Sequence, residues 1–296
     1  RAVTVVMHAT LALHVPSEYP TIQAAIDAAT MPGDEVVIAD GVYTGPGNMN
    51  LDLHNPAIRV RSATGDPAAC IIDCAGDGWG FYLSAAAIVQ DVTVLNGSPA
   101  GVYCEESSGP TLINCTISRS NGFGVVCAAD TSANLVACTI SNNRAYMGGG
   151  VQCGSNSSPT LTDCTIANNE SYHGAGVECD TDSNPTLTNC TITGNSAHYG
   201  GGVRGSMAYP KLTNCIVWAN TPPQISIPSG TPIVTYCDIE GGWTGNGNID
   251  VAPGFAFAGD FHLLAGSPCI DAGTNGPPGG LPPDDSDGQP RPLDGD

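Results

Sequence analysis

The stretch GVECDTDSNPTLTNCTITGNSAHYGG, residues 176–201, repeats the stretch before it, GVQCGSNSSPTLTDCTIANNESYHGA, residues 150–175. Related copies occupy residues 101–123, 124–149 and 202–223, so the chain carries five consecutive copies whose period varies between 23 and 26 residues. Internal repeats of this length indicate that neighbouring units share one hydrophobic core.

Apolar and polar residues alternate within each copy. Val151 and Cys153 flank a polar residue, and so do Cys164 and Ile166. A period of two places successive side chains on opposite faces of a strand. Threonine and β-branched residues favour strands, whereas Asn, Asp, Gly and Pro mark bends. Each copy is therefore predicted to be a coil of short strands, and stacking buries the inner face that a single coil leaves exposed.

Cysteines form two inward columns if the coils stack. Parallel strands lie ~4.8 Å apart, so equivalent residues are superimposed along the solenoid. The two columns contain Cys104, Cys127, Cys153 and Cys179 in the first, and Cys115, Cys138, Cys164, Cys190, Cys215 and Cys237 in the second. Buried free thiols fit these columns because Cys packs as a small hydrophobe. Disulfides between stacked coils also fit the expected spacing, and both alternatives stay open.

One corner of the coil grows in the later copies, at residues 143–149, 169–175 and 195–201. It begins with an asparagine column, in which stacked amides can hydrogen-bond to each other and to the turning backbone: Asn143, Asn169, Asn195 and Asn220. Two further columns place rings beside glycines: Tyr146, Tyr172 and His198, then Met147, His173 and Tyr199. Such a strip suits sugar rings or another protein chain, or it shields the backbone of a long turn.

Both ends of the repeat region carry a family resemblance. Residues 20–45, PTIQAAIDAATMPGDEVVIADGVYTG, and the segments 237–255 and 260–273 resemble the entry and the closing segment of secreted bacterial right-handed parallel β-helix proteins of the pectate-lyase-like superfamily. The resemblance implies an all-β, right-handed parallel β-helix with a short N-terminal capping helix. It divides the chain into a strand and capping helix at residues 1–33, coils at 34–249 and an irregular closing segment at 250–296.

The first 33 residues support this reading independently. Ile22, Ala25 and Ile26 fall at helical spacing behind Thr21, a good N-cap residue. The apolar stretch 2–15 fits an N-terminal strand, or the remnant of a signal peptide. As a strand it pairs either with its own first coil or with a neighbouring molecule, which would build oligomers or fibres through end strands.

The amino-acid composition limits the classes of binding partner. Asp and Glu number 28 against 8 Lys and Arg, a net charge of −20. This balance disfavours nucleic acid and anionic membranes, both of which require clustered cations. No apolar run reaches the ~20 residues that span a bilayer. The sequence therefore predicts a secreted or cell-surface protein whose partners are extracellular glycans or other protein chains.

Catalytic residues are not identifiable from the sequence. Lyases of the superfamily use a basic residue near calcium, and Arg204 is the best-placed cation because it follows Glu178 in an outward column. Asp180 and Asp182, one coil below, are the candidate calcium ligands, although no cofactor is required. A row of solvated salt bridges explains the same residues. Glu178 and Asp180 could also reach the ~5–9.5 Å separation of a glycosidase pair, but the paired aspartates of the superfamily's hydrolases are absent.

The sequence thus predicts a β-helix with a structural, adhesive or glycan-binding role. The alternative is a polysaccharide-degrading enzyme, either a lyase or a glycoside hydrolase. The candidate ligand-binding residues lie on the enlarged corner and on the neighbouring outward column: Tyr146, Tyr172, His173, His198, Tyr199, Glu178 and Arg204.

Overall fold

Each coil in the middle of the chain contributes one short strand to each of three parallel sheets. The computed structural model describes residues 10–53, 57–84, 86–257, 259–277, 280–281, 283 and 290–291. Successive coils pair in parallel and in register throughout these sheets, as Thr139 with Thr165 and Thr165 with Thr191 illustrate. The prediction of an all-β parallel β-helix is confirmed.

The strands follow in the order sheet A, sheet B, sheet C around each coil. Sheet A contains Ala12–Val15, Glu35–Ile38, Arg59–Ser62, Ile88–Gln90, Thr111–Ile113, Asn134–Val136, Thr160–Thr162, Thr186–Thr188, Lys211–Thr213 and Ile233–Thr235. Sheet B contains Gly41–Thr44, Cys70–Asp73, Thr93–Leu95, Thr116–Ser118, Thr139–Ser141, Thr165–Ala167, Thr191–Thr193, Ile216–Trp218 and Asp238–Ile239. Sheet C contains Leu51–Leu53, Phe81–Leu83, Ala100–Cys104, Phe123–Cys127, Val151–Cys153, Val177–Cys179, Val203–Gly205 and Ile225–Ser226.

Three elements lie outside these sheets. The enlarged corner between sheets B and C forms a two-stranded parallel sheet, Glu170–His173 with Ser196–Tyr199. The closing segment contains an antiparallel pair, Phe255–Phe257 with Asp260–Leu263. In the part of the chain that the structure describes, the one α-helix is Ile22–Ala28, and no helix there is long and apolar enough to cross a membrane.

The helix closes the first coil as the sequence predicts. Thr21 is the N-cap, and its hydroxyl accepts a hydrogen bond from the Ala24 backbone N–H at 3.3 Å. The helix buries Ile22, Ala25 and Ile26 against the hydrophobic core. Its apolar face thereby covers the N-terminal end of that core, which would otherwise meet water.

The N-terminal strand Ala12–Val15 pairs in parallel with Glu35–Ile38 of its own chain. Of the two predicted alternatives, pairing within the molecule holds for this part of the stretch 2–15, while residues 1–9 lie outside the described residues. The strand is the outermost strand of sheet A at this end.

Residues with left-handed backbone lie at most of the described bends between sheets. Between sheets A and B it is the residue before the cysteine, for example Asn114 with φ of 48° and Asp163 with φ of 55°. Asn and Asp tolerate this conformation better than other non-glycine residues. The Asn and Asp positions of the repeat are therefore fixed by the backbone at the bends.

The asparagine column is a continuous buried ladder, which confirms the prediction for the start of the corner. Asn143 Nδ2 donates to Asn169 Oδ1 at 3.0 Å, and Asn169 Nδ2 donates to Asn195 Oδ1 at 2.9 Å. Asn195 repeats the contact with Asn220 at 2.9 Å. Asn169, Asn195 and Asn220 each also accept a hydrogen bond from the backbone N–H of the asparagine before them in the column. The Asn143, Asn169 and Asn195 amides each donate to a backbone carbonyl of the preceding coil. The side-chain amides thus satisfy the buried backbone where the corner leaves the coil.

Of the two alternatives that the sequence left open, the structure has free cysteine thiols. Twelve of the thirteen are buried, and Cys269 is half-buried. In the first column Cys104 stands opposite Cys127, and Cys127 opposite Cys153. In the second column each thiol hydrogen-bonds to backbone carbonyls, as Cys138 Sγ does to the Val136 carbonyl at 3.3 Å.

We predict that the native protein resists thiol alkylation at neutral pH. Burial raises the pKa of Cys70 to about 12, and the half-buried Cys269 also has a pKa raised to about 12 by burial and by Asp238. At Cys70 and Cys269 the thiolate, the reactive form, is therefore scarce, and the column thiols are inaccessible because they are buried. Mass spectrometry after iodoacetamide treatment should show at most Cys269 modified in native protein and all thirteen modified after denaturation. Rapid native modification of several column cysteines would contradict this packing.

Replacing Asn169 by alanine is predicted to lower the free energy of unfolding by on the order of 3 kcal/mol. The change leaves buried donors of Asn143 and a buried carbonyl of Ile140 without partners, each costing about 1–3 kcal/mol, partly offset by relaxation. Urea denaturation measures the effect. Asn184→Ala is the matched control, because the Asn184 amide makes an exposed contact with the Asp182 carbonyl, and it should cost less than about 1 kcal/mol. Equal costs for the two variants would refute the structural role of the ladder.

Candidate functional site

The outward side chains of sheet C form a column that runs along the solenoid. We call it the sheet C face, and it consists of Tyr82, Tyr103, Val126, Gln152, Glu178 and Arg204. The alignment of Arg204 behind Glu178, predicted from the repeat, is confirmed. The face changes along its length, because it begins with half-exposed rings and continues with buried polar side chains.

The enlarged corner covers the C-terminal half of the face. Gly148 and Gly174 precede Gln152 and Glu178 by four residues and have φ of 60° and 54°. Each glycine lies in close contact with the side chain of its partner. A Cβ on Gly174 would lie 2.1 Å from Glu178 Oε2, and one on Gly148 would lie 2.5 Å from Gln152 Oε1. Only glycine permits this approach and this backbone conformation. Glu178, a predicted ligand contact, therefore lies beneath the corner, with 2% of its surface exposed.

Glu178 and Arg204 form an ion pair between a buried carboxyl and a half-buried guanidinium, not the solvated salt bridge that the sequence left as an alternative. The Arg204 guanidinium donates to Glu178 Oε1, and their side chains are 24% and 2% exposed. Burial raises the pKa of Glu178 to about 7, although Arg204 acts to lower it. Because its guanidinium is engaged by the carboxylate, Arg204 is not placed as a free catalytic base.

Three buried polar atoms around this pair have no hydrogen-bond partner among the described residues: Gln152 Oε1, Glu178 Oε2 and His173 Nδ1. Asp180 takes a hydrogen bond from Gln152, yet burial still raises its pKa. Burial likewise lowers the pKa of His173, helped by Arg204. The cluster beneath the corner thus favours uncharged forms of its acids and of its histidine.

Asp180 and Asp182 do not come together with further acidic ligands. Within the described ranges, no group of three or more His, Cys, Asp and Glu side chains is arranged to hold a metal ion. Asp182 is exposed at a bend with φ of 59°. Calcium binding at these two residues stays a prediction.

The corner gathers all five predicted ring residues into one cluster, which we call the corner ring strip. The Tyr146 and Tyr172 rings stack at 5.4 Å between centroids, and His198 continues the stack at 5.0 Å from Tyr172. The second column stacks His173 on Tyr199 at 5.2 Å. Tyr172 meets the His173 ring edge to face at 4.7 Å. Two columns of rings therefore run side by side along the solenoid axis, and the ring planes of one column are nearly perpendicular to those of the other.

Exposure decides what this strip can present to a partner. Tyr146, Tyr172 and Tyr199 are 68%, 41% and 49% exposed. Rings within a stack cover each other's faces, so the strip offers ring edges, phenol hydroxyls and imidazole nitrogens. The most accessible ring face belongs to Tyr146, at the end of its stack. This arrangement combines apolar contact with hydrogen bonding.

A second ring cluster, not predicted from the sequence, lies at the other end of the sheet C face. Tyr82 and Tyr103 stack at 5.3 Å, and Trp79 stands 5.5 and 5.8 Å from their centroids. The Tyr82 hydroxyl donates to Glu105 Oε1 at 2.8 Å. The sequence held one signal for this cluster: aligning Leu83 with Cys104 in the first cysteine column places Tyr82 next to Tyr103.

Comparison with known proteins identifies the family. The sequence profile described as right handed beta helix region matches residues 68–217, just over half of the chain. The chain belongs to this right-handed β-helix family. The predicted right-handed β-helix is thereby confirmed, and no curated protein sequence matches this β-helix protein.

Solved structures of similar fold are distant in sequence. The pectate lyase Pel9A has a TM-score of 0.51 at 14% identity, over 90% of this chain and 92% of the lyase. The ORF18 protein of Geobacillus virus E2 has a TM-score of 0.50 at 14% identity, over 80% of this chain and 60% of the viral chain. The pectin methylesterase PemA from Erwinia chrysanthemi scores 0.48 at 11% identity, over 88% and 94%. These likenesses concern the fold alone.

We predict that Glu178 makes the stability of the β-helix protein pH-dependent. Its pKa is about 7 in the fold against an ordinary 4.5, so its contribution is fully present below pH 4.5 and is lost as the pH rises through 7. The free energy of unfolding falls by on the order of 3 kcal/mol across this pH range. Glu178→Gln removes the titrating group. The free energy of unfolding of this variant should therefore rise relative to that of the wild type as the pH increases from 5 to 8.

Urea denaturation across this pH range provides the measurement. Glu106→Gln is the matched control, because it neutralises an exposed carboxyl on the same side of the solenoid. Its stability should follow the wild-type pH profile. Parallel profiles for wild type and Glu178→Gln would show that the Glu178 carboxyl titrates as it does in the unfolded chain.

Proposed function

We propose that this β-helix protein binds an extended glycan along its solenoid axis, without cleaving it, in a structural or adhesive role outside the cell. The observation that carries the proposal is the corner ring strip, in which the rings of Tyr146, Tyr172 and His198 stack at 5.4 and 5.0 Å along the axis. A repeated surface of this kind suits a repeated ligand better than a single small molecule.

The chemistry of the strip supports a sugar ligand. Sugars present apolar C–H faces together with many hydroxyls, and the strip presents half-exposed rings with phenol hydroxyls and imidazole nitrogens. Gly148 and Gly174 follow Met147 and His173 directly in the chain and add no side chains to the corner. A flat partner can therefore approach the ring edges closely. Another protein chain would meet the same surface, which keeps adhesion between proteins within the proposed role.

Polysaccharide degradation is the second candidate, and Glu178 is the observation that favours it. A carboxyl whose pKa is raised to about 7 is suited to general acid catalysis near neutral pH. Its position argues against this role, because the corner covers it and Arg204 engages its Oε1. Cleavage would require the corner to open. Glycan binding needs no such movement, so it is the better-supported function.

The cellular setting and assembly belong to the same proposal. The resemblance to secreted bacterial β-helices suggests a secreted or cell-surface location, and calcium at Asp180 and Asp182 would add affinity for acidic or hydroxylated ligands. Ala12–Val15 uses one side to pair with Glu35–Ile38 and forms the end of sheet A. The other side of that strand is the candidate edge for assembly into oligomers or fibres.

We predict that Tyr172→Ala weakens glycan binding about tenfold, because it removes the ring that contacts both neighbours of its stack. A glycan array identifies the bound class, and calorimetry with an oligosaccharide of that class measures affinity. Tyr209→Ala is the matched control, since Tyr209 is 40% exposed against 41% for Tyr172 but lies outside the corner. It should bind as wild type does.

Two outcomes would refute the binding proposal: no glycan on the array retains the wild-type protein, or both tyrosine variants bind with unchanged affinity. The enzymatic alternative is tested in parallel by incubating the protein with polygalacturonate and with the glycans identified on the array. Release of reducing ends or unsaturated products, abolished by Glu178→Gln, would replace binding by degradation as the function. We expect no product.

A further inference from the structure

The ring cluster at the N-terminal end of the sheet C face differs from the corner ring strip in its charge. Glu105 and Glu106 lie two and three residues after Tyr103 in the chain, and Asp52 stands beside Tyr82 in the neighbouring strand of the preceding coil. Acidic groups raise the pKa of both tyrosines: Glu105 is the main cause for Tyr82, whereas burial leads for Tyr103, followed by Glu106 and Glu105. No basic group contributes to either shift among the described residues. Three rings and three carboxyls therefore share one surface.

We propose that Trp79, Tyr82 and Tyr103, together with Glu105 and Glu106, form a second binding site, which takes a sugar chain bearing ammonium groups, a polymer of amino sugars. This inference rests on the proposed glycan binding and names its chemical class. The corner ring strip would hold the continuation of the chain.

The rings provide the apolar half of this site. Trp79 is tilted by 44° and 35° against the stacked tyrosines, at 5.5 and 5.8 Å, and all three side chains are half-exposed. The hydrogen bond from the Tyr82 hydroxyl to Glu105 Oε1 fixes the carboxyl beside the rings. A sugar ring packs on such a surface with little loss of side-chain freedom, because the rings are already held by each other.

The carboxyls provide the charged half. Glu106 is exposed and makes no hydrogen bond or ion pair with any described residue, so it can receive an ammonium group without breaking a contact. Cations are also attracted to the faces of Trp and Tyr, which strengthens binding where carboxyls lie nearby. A chain of uronic acids would instead bring its carboxylates against Glu105 and Glu106, and a net charge of −20 on the protein adds to that repulsion.

The position of the site favours a long sugar chain over a short cationic peptide. Tyr82 and Tyr103 belong to the sheet C face, and the corner ring strip lies beside the same face further along it, beyond Val126. An extended polymer that follows the axis can contact both. A cationic peptide satisfies the carboxyls equally well, but it offers the rings no regular series of flat faces.

The test is calorimetry with four hexamers in mildly acidic buffer, where amines carry their protons: glucosamine, N-acetylglucosamine, galacturonic acid and lysine. We expect the glucosamine hexamer to bind about tenfold more tightly than the N-acetylated hexamer, and the galacturonic acid hexamer not to bind. The preference should shrink in high salt, since it rests on exposed charges. The lysine hexamer should bind more weakly than the glucosamine hexamer.

Variants assign the effect to the site. The double variant Glu105→Gln and Glu106→Gln should abolish the preference for glucosamine while retaining the N-acetylated hexamer, because glutamine preserves an acceptor for Tyr82. The matched control, Glu18→Gln with Asp66→Asn, removes the same charge from exposed residues outside sheet C and should keep the preference. Trp79→Ala should weaken both sugar hexamers, and circular dichroism verifies that each variant retains the wild-type spectrum.

Each alternative result overturns the inference in a recognisable way. Equal affinity for the two glucosamine forms, or tighter binding of the uronate, would show that the site does not select ammonium groups, and would leave glycan binding at the corner intact. If the lysine hexamer binds as tightly as the glucosamine hexamer, the surface selects for positive charge and not for a sugar chain. If the control variant also loses the preference for the glucosamine hexamer, that preference arises from the net charge of the protein and not from this site. Failure of all four hexamers would remove the site, whereas the glycan array with Tyr172→Ala decides the proposed function separately.

Discussion

In-register parallel pairing between successive coils is the constraint on which the other features depend. It places each residue beside its equivalent in the neighbouring coil, at the strand spacing of ~4.8 Å. An inward side chain must therefore tolerate a copy of itself as neighbour. Leucine, isoleucine, valine and cysteine do so by packing, and asparagine does so because an amide both donates and accepts a hydrogen bond. The buried ladder that begins at Asn143 is the polar solution to the same requirement.

The same pairing organises the surface, where identical neighbours are not required. Along the sheet C face the residue changes from ring to aliphatic to amide to carboxylate to guanidinium. Glu178 is buried at a cost in desolvation, and the coil that follows supplies Arg204 as its partner. The pairing does not satisfy the whole group, since Glu178 Oε2 has no described partner. The local consequence is a carboxyl whose pKa lies near 7.

The family assignment explains the architecture and leaves the chemistry to the surfaces. A right-handed β-helix that shares 14% identity with a pectate lyase shares with it a way of stacking coils. Function resides in the side chains that each protein displays on that scaffold. Here the display consists of two ring clusters beside one outward column, one next to a cluster of buried polar groups and one next to exposed acids. The proposal of glycan binding rests on these two displays.

The sequence by itself determined the coils, their register, the amide ladder and the ring columns of the corner. It could do so because a period of two within each copy and a repeat between copies dictate which side chains point inward and which are superimposed. Only the tertiary structure decided that Glu178 is buried, that the thiols are free, and that Trp79 joins Tyr82 and Tyr103. These outcomes depend on how the backbone folds back at bends, as at Gly174, and on side-chain directions across a bend. Periodicity carries no information about either, because a repeat fixes which residues are equivalent but not how a corner packs on its neighbouring strand.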